Sequence, residues 1–235
     1  SSWTETVLTA ALRARNAPVR VARVRLGVPQ HYFHPADRRE ARDELGIQAS
    51  DFVIAFSAAT LTDPRKGWHL LKQAIESLTV PSLTILLVGR VLEQPVLPGV
   101  VVVDTGYLAY PGDVAKAMTA ADVYVGPSSE ETFGQVFTEA AMCGTPVIGL
   151  NQTGVRDAVV EGVTGTLVPP NAESLRDAIL KYYDDRTFRE SISISAGLCG
   201  RTEFSLEKSY ASLHAVWRKT GVIDDFGLPH KIAFT

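Results

Sequence analysis

Glu131-Thr-Phe-Gly-Gln-Val-Phe-Thr-Glu139 runs straight on into Ala140-Ala-Met-Cys-Gly-Thr-Pro-Val-Ile-Gly149. Two carboxylates stand at its ends, with a Phe133-Gly134 step between them where a helix can begin. Glycine lets the backbone come close to a ligand, and the first N–H groups of a helix have no partner within it. Those donors, at the positive end of the helix dipole, suit a phosphate or a sugar oxygen. Glu131 then sits at the mouth of the helix and Glu139 about a turn and a half inside it. At ~1.5 Å rise per residue the two are roughly 9–12 Å apart, about the reach of a nucleotide-linked sugar. A carboxylate only accepts hydrogen bonds and pairs well with vicinal hydroxyls, so two at this spacing can grip both ends of one polyol.

The helix read from Gly134 is followed by an apolar run, Thr145 to Leu150, and the same alternation extends to either side. Asp51-Phe-Val-Ile-Ala-Phe-Ser57 is nearly all apolar, as expected of a strand buried on both faces of a parallel sheet. Thr84 to Gly89 and Val100 to Val103 read as the second and third interior strands, Asp122 to Pro127 as the fourth, Thr145 to Leu150 as the fifth. Gly162 to Val168 reads as a turn into the sixth. Helices are predicted from Arg38 to Leu45, stopping near Gly46, from the Arg65-Lys66-Gly67-Trp68 junction through Ile75, and from Gly112 to Ala120. Gln152 to Asp157 opens a further one, and Asn171 caps another that runs into Tyr183. Two amphipathic helices close the order, Thr187 to Cys199 and Ser205 to Lys219, with Leu213, Val216 and Trp217 marking a core face on the last. Strand and helix alternating six times imply an α/β fold, a Rossmann-like parallel sheet of about six strands with helices on both faces. Residues 60–68, 105–108 and 128–139 all follow strand ends, where open α/β sheets bind ligands.

The first thirty residues do not read as the start of an independent domain. Ser1 to Arg15 looks like the end of an amphipathic helix with Val7, Leu8 and Leu12 on one side. Val19 to Leu26 alternates apolar and basic residues, the period of a half-buried strand. Gly27-Val-Pro-Gln-His-Tyr-Phe-His-Pro35 is rich in turn formers. The tail from Asp224 to Thr235 carries no signal.

Composition narrows the function. The chain has 235 residues, nearly half of them hydrophobic, and a net charge of −3. Without a basic face, duplex nucleic acid and anionic membrane surfaces are poor partners. Cys143 and Cys199 have neither metal-ligand spacing nor a disulfide framework, and they suit a reducing, cytoplasmic setting. His31, His34, His69 and His214 show no zinc-like spacing, so no metal is expected. No stretch approaches a ~20-residue membrane span. Neither a Gly-x-Gly-x-x-Gly fingerprint nor a P-loop occurs, so a nucleotide must be held by dispersed contacts.

The Glu131-x7-Glu139 pair, with Phe133-Gly134 inside it and Gly144-Thr-Pro146 behind it, resembles the signature of retaining glycosyltransferases of the GT-B fold. Family 4, or group 1, is the nearest in pattern. The resemblance runs from about Val24 to Leu213 and implies that residues 31–220 form the C-terminal, donor-binding half of such an enzyme. Residues 1–30 would be a remnant of the N-terminal domain and its linker, with Pro29 where aspartate is usual, and 221–235 a tail. It further implies that Glu131 contacts the donor sugar, Glu139 the ribose, and Lys66 the diphosphate. Arg65, Ser128, Thr132, Phe133, Gly134, Gln135 and Val136 would complete the donor site. Gly106, Tyr107 and Leu108 would line the base, although Tyr107 is as well explained by packing. The usual strand-end arginine is missing, Ala58-Ala59-Thr60 standing in its region, and only Gly154 and Asp157 survive of a usual Gly-Gly-x-Pro-Glu. The implied substrate is a nucleoside-diphosphate sugar, with UDP the expected nucleotide, and no cofactor. The acceptor, a sugar or lipid-linked glycan, and any peripheral membrane attachment would come through the N-terminal domain. A non-catalytic nucleotide-sugar-binding module, a sugar-nucleotide epimerase and a phosphorylase are the other readings.

Overall fold

The computed structural model describes residues 1–17, 19, 21–91 and 95–220, and the tail beyond 220 lies outside them. The apolar runs pair into one six-stranded sheet, parallel throughout, in the order β3-β2-β1-β4-β5-β6. Its strands are β1 (Phe52–Thr60), β2 (Leu83–Arg90), β3 (Val100–Asp104), β4 (Val123–Gly126), β5 (Val147–Leu150) and β6 (Gly165–Val168). Parallel neighbours need crossovers, and helices supply them. In chain order the helices are α1 (Ser2–Ala14), α2 (Arg38–Leu45), α3 (Trp68–Glu76), α4 (Pro111–Ala120), α5 (Gln135–Met142), α6 (Val155–Ala158), α7 (Ala172–Asp184), α8 (Arg186–Glu203) and α9 (Leu206–Thr220).

Both faces of the sheet are buried, which is why its strands read as continuous apolar runs. Val53, Ala55 and Tyr124 point to one side, among Met118 of α4 and Phe137 of α5. Ile54, Phe56 and Val125 point to the other, among Leu71 of α3 and Ile179 of α7. Each of the valine, leucine, isoleucine, methionine and phenylalanine side chains contributes about 1.5–3 kcal/mol by leaving water. Below the amino edge of the sheet, Asp122 acts as a hub. Its Oδ2 accepts from Arg42 of α2 at 2.7 Å and from the Val53 N–H at 2.9 Å, while Arg38 reaches its Oδ1 at 3.3 Å. The chain runs outward from β1 to β3, then returns through α4 to β4 on the other side of β1. That reversal opens a crevice at the carboxyl edge between β1 and β4.

Four expectations need correction. Val100 to Val103 is an edge strand, not an interior one, and Val101 is exposed. Residues 19 and 21–27 form no strand, because no described strand lies alongside to pair with them. Their backbone turns to the α8–α9 junction instead, where Arg25 O accepts from Ser209 Oγ at 2.6 Å and Val28 N–H donates to Phe204 O at 2.8 Å. On α9 Leu213 and Val216 are half-covered and Trp217 exposed, so its apolar face meets no core within the described residues. Lys66 lies not on a helix start but on a separate 3-10 turn, Pro64–Lys66, which Gly67 divides from α3. Asn171, by contrast, caps α7 as expected, accepting from Ser174 N–H at 2.8 Å.

Candidate functional site

A cleft of about 360 Å³ opens at the carboxyl edge, in the crevice between β1 and β4. Two close backbone approaches and one helix start shape it. At Gly67 the backbone is left-handed (φ 72°), and a Cβ there would stand 1.9 Å from Pro127 O. The turn carrying Lys66 is thereby pressed against the β4–α5 loop, and Ser129 N–H donates to Arg65 O at 2.8 Å. At Gly154 a Cβ would meet Thr132 O at 2.3 Å. That contact lets the β5–α6 loop hold the backbone of Glu131 on both sides. Glu131 N–H donates to Thr153 Oγ1 at 3.2 Å, and Glu131 O accepts from Gly154 N–H at 2.9 Å. Gly134 is also left-handed (φ 85°) and starts α5 without a side-chain cap, so the N–H groups of Gln135 and Val136 are left for a ligand, while that of Phe137 donates to Gly134 O at 3.1 Å.

These constraints bring the charges together. Lys66 Nζ donates to Glu131 Oε1 at 2.6 Å, with both groups largely covered. Glu139 lines the same cleft, and among the described residues its carboxylate has no hydrogen-bond partner. Burial pushes its carboxyl group up to about 7. The cleft thus offers one ammonium, an uncapped helix N-terminus and two carboxylates of different character. A phosphate suits the first two and a polyol the others.

Eight expected residues line the cleft: Lys66, Glu131, Gly134, Gln135, Val136, Glu139, Tyr107 and Leu108. Tyr107 stands at the mouth, largely exposed, with the Arg90 guanidinium 5.7 Å from its ring centroid. Five expected residues are not brought to it. The Arg65 guanidinium is turned outward onto Asp63, with bonds of 3.1 and 2.8 Å. Gly106 shapes the β3–α4 loop, its N–H donating to Asp104 Oδ1 at 2.8 Å. Ser128 is buried below, and Phe133 packs on Phe204. Thr132 faces solvent, its carbonyl accepting from the Thr4 hydroxyl at 2.9 Å. Beside it Ser2 N–H and hydroxyl donate to Asp157 at 2.8 and 2.7 Å, so α1 rests on the rim. The unforeseen lining comes from Ser57, Ala58 and Ala59 of β1, Val88 and Gly89 of β2, and Val114 and Met118 of α4. Of these only Ser57, a polar residue near the end of an apolar strand, gives a signal in the sequence.

Residues 37–197 match the family model described as glycosyl transferases group 1. The chain belongs to that family. Among its relatives is the D-inositol 3-phosphate glycosyltransferase of Mycobacteroides abscessus, 35% identical over 175 residues, which are 69% of this chain and 39% of the relative. The enzyme of the same name from Saccharomonospora viridis is 35% identical over 184 residues, 70% of this chain and 42% of the relative. The group 1 chain therefore spans about two-fifths of the length of these relatives. Among solved structures, sucrose-phosphate synthase from Thermosynechococcus elongatus superposes with a TM-score of 0.76 at 26% identity, over 91% of this chain and 56% of that one. Anabaena Alr3699/HepE, in complex with UDP and glucose, has a TM-score of 0.76 at 22% identity, over 92% of this chain and 62% of that one. The group 1 domain thus has the Rossmann-like sheet of the GT-B glycosyltransferases.

Proposed function

We propose that this domain is the donor-binding half of a retaining glycosyltransferase of family 4 type, which moves a hexose from a nucleoside-diphosphate sugar to an acceptor hydroxyl. One observation carries the reading: Lys66, Glu131, Glu139 and the N-terminus of α5 converge on a single cleft at the sheet's reversal point. The UDP and glucose named with Anabaena Alr3699/HepE support UDP as the nucleotide. In the reaction the anomeric C–O bond to the diphosphate breaks and the acceptor oxygen forms its own bond to that carbon. The acceptor proton goes to a base or to the leaving diphosphate, on which negative charge grows. Lys66 and the N–H groups at Gln135 and Val136 stabilise that charge electrostatically. Glu131, held by Lys66 and Thr153, orients the sugar, and Glu139 accepts from the ribose hydroxyls.

Since the chain spans two-fifths of its relatives, the acceptor site and any base are assigned to the remainder of the protein. Residues 1–30 belong with that remainder, and the rest of the described chain with the donor domain. Among the described residues no helix is long and apolar enough to cross a membrane, and peripheral attachment at the membrane is assigned to the remainder of the protein. Alone, the domain binds donor weakly and turns over little.

Calorimetry with UDP, GDP and ADP on wild type and Glu139→Ala tests binding. A wild type that ignores all three, or a variant that binds as well, sinks the reading. A non-catalytic module is the second reading, favoured by the outward turn of Arg65, which leaves Lys66 as the one side-chain cation lining the cleft among the described residues. Sugar transfer by the full-length protein separates the two.

A further inference from the structure

A pair of hydroxyls beneath the cleft has no part in the reading above. Tyr124 of β4 is 2% exposed, its ring edge-on to Phe137 at 5.5 Å between centroids. Its Oη lies 3.0 Å from Ser57 Oγ, and among the described residues it has no other hydrogen-bond partner. A phenol has one proton to place, and a buried donor left unmatched is costly. Burial also pushes the phenol far above its ordinary range, so the proton stays on the oxygen. Tyr124 therefore donates and Ser57 Oγ accepts, which leaves the serine's own proton free. Ser57 lines the cleft, near the carboxyl end of β1 and next to the reversal point. Lys66 enters from the loop that follows the same strand. A free hydroxyl proton there faces the place where an anionic, acceptor-only group is expected.

We infer that Ser57 is a ligand-binding residue whose hydroxyl, oriented by Tyr124, donates a hydrogen bond to a phosphate oxygen of a nucleoside diphosphate. Tyr124 is a positioning residue, acting through Ser57 without touching the ligand. The inference rests on the donor-binding reading and is separable from it by experiment.

The probes are whichever of UDP, GDP and ADP binds wild type, and the corresponding nucleoside. Affinities are measured by calorimetry for wild type, Ser57→Ala, Tyr124→Phe, the double variant and Glu139→Ala, with thermal melts alongside. Ser57→Ala should bind the diphosphate about tenfold more weakly, the loss expected for one hydrogen bond to a charged group, with nucleoside affinity unchanged. Tyr124→Phe should weaken diphosphate binding less, because the serine hydroxyl can still turn toward the phosphate. The double variant should be no weaker than Ser57→Ala, since the phenol acts only through the serine. It also removes both hydroxyls together, so it leaves no orphaned phenol and guards against misfolding. If Ser57→Ala lowers the melting temperature but binds the diphosphate like wild type, while Glu139→Ala loses it, the pair is merely structural and the inference alone falls. Equal losses for diphosphate and nucleoside overturn the phosphate assignment. A wild type blind to all three nucleotides removes the donor reading and this inference together.

Discussion

A carboxyl group that is mostly buried without a partner resists ionisation, and Glu139 is in that position. Its folded value, about 7, stands above the ordinary 4.5. Between those limits the folded protein holds a proton that the unfolded chain gives up, so stability falls as pH rises through the window. The penalty is complete above about pH 7 and absent below about pH 4.5. Glu139→Gln should therefore stabilise the fold by on the order of 1–3 kcal/mol at pH 8 and by almost nothing at pH 4.5. Urea midpoints at the two pH values check this. The same variant should bind nucleoside diphosphate more weakly, because a neutral amide is a poorer acceptor for two ribose hydroxyls. Stability and binding then move in opposite directions, which a purely structural glutamate would not produce. Glu131 differs in kind, because Lys66 compensates it at 2.6 Å. Lys66→Met should cost about 1–3 kcal/mol by stranding a covered carboxylate. Adding Glu131→Gln should recover part of that loss in thermal melts, the signature of a coupled pair.

The elements that build the cleft were legible to different degrees, for reasons tied to burial. β1, β2, β4 and β5 announce themselves because both of their faces are apolar and no alternation interrupts the run. Val19 to Leu26 has a strand's period, yet its described residues have no strand partner among the described strands, and periodicity does not report whether an open edge is available. The apolar stripe on α9 is likewise present in the sequence without a described surface to cover it. Within the site, Glu131, Glu139 and Gly134 stood out as two carboxylates flanking a glycine where a helix can begin, and Lys66 because it follows a strand end. Val114 and Met118 did not, since nothing local shows that α4 packs over the crevice. The outward turn of Arg65 depended on Asp63, two residues away, offering a bidentate partner. Gly67 shows how tightly the loops are bound to one another. Gly67→Ala would place a methyl within 1.9 Å of Pro127 O at φ 72°, whereas Gly162→Ala, at φ 71°, meets nothing within 4 Å. The second should cost about 1 kcal/mol of backbone strain, and the first clearly more, since backbone must also move. Denaturant midpoints would separate them, and only Gly67→Ala should also weaken nucleotide binding, by displacing Lys66.

Across the whole molecule the two edges of the sheet do different work. The amino edge carries Asp122, whose oxygens join α2 and the start of β1, with Arg189 of α8 reaching 3.5 Å from Oδ1. The carboxyl edge carries the cleft, one strand length away, about 13 Å for four residues of β4 at ~3.3 Å each. Arg42 keeps three backbone acceptors besides Asp122, the carbonyls of Ala120, Ala49 and Asp51 at 2.9, 3.0 and 3.1 Å. Asp122→Ala would leave its hydrogen bonds largely made while removing its counter-charge, and would orphan the Val53 N–H. Loss of one partner of a buried pair costs about 3–5 kcal/mol; those carbonyls temper the loss at Arg42, while Arg38 and Arg189 lose the same counter-charge. Because the cleft is built from the opposite edge, the folded fraction should bind nucleoside diphosphate with wild-type affinity. Sites this far apart without shared partners act additively. Combined with Glu139→Gln, the variant should therefore show the sum of the two stability changes at pH 8. A double variant whose urea midpoint departs from that sum, or an Asp122→Ala protein that is folded yet loses nucleotide, would mean that the edges are coupled through β4.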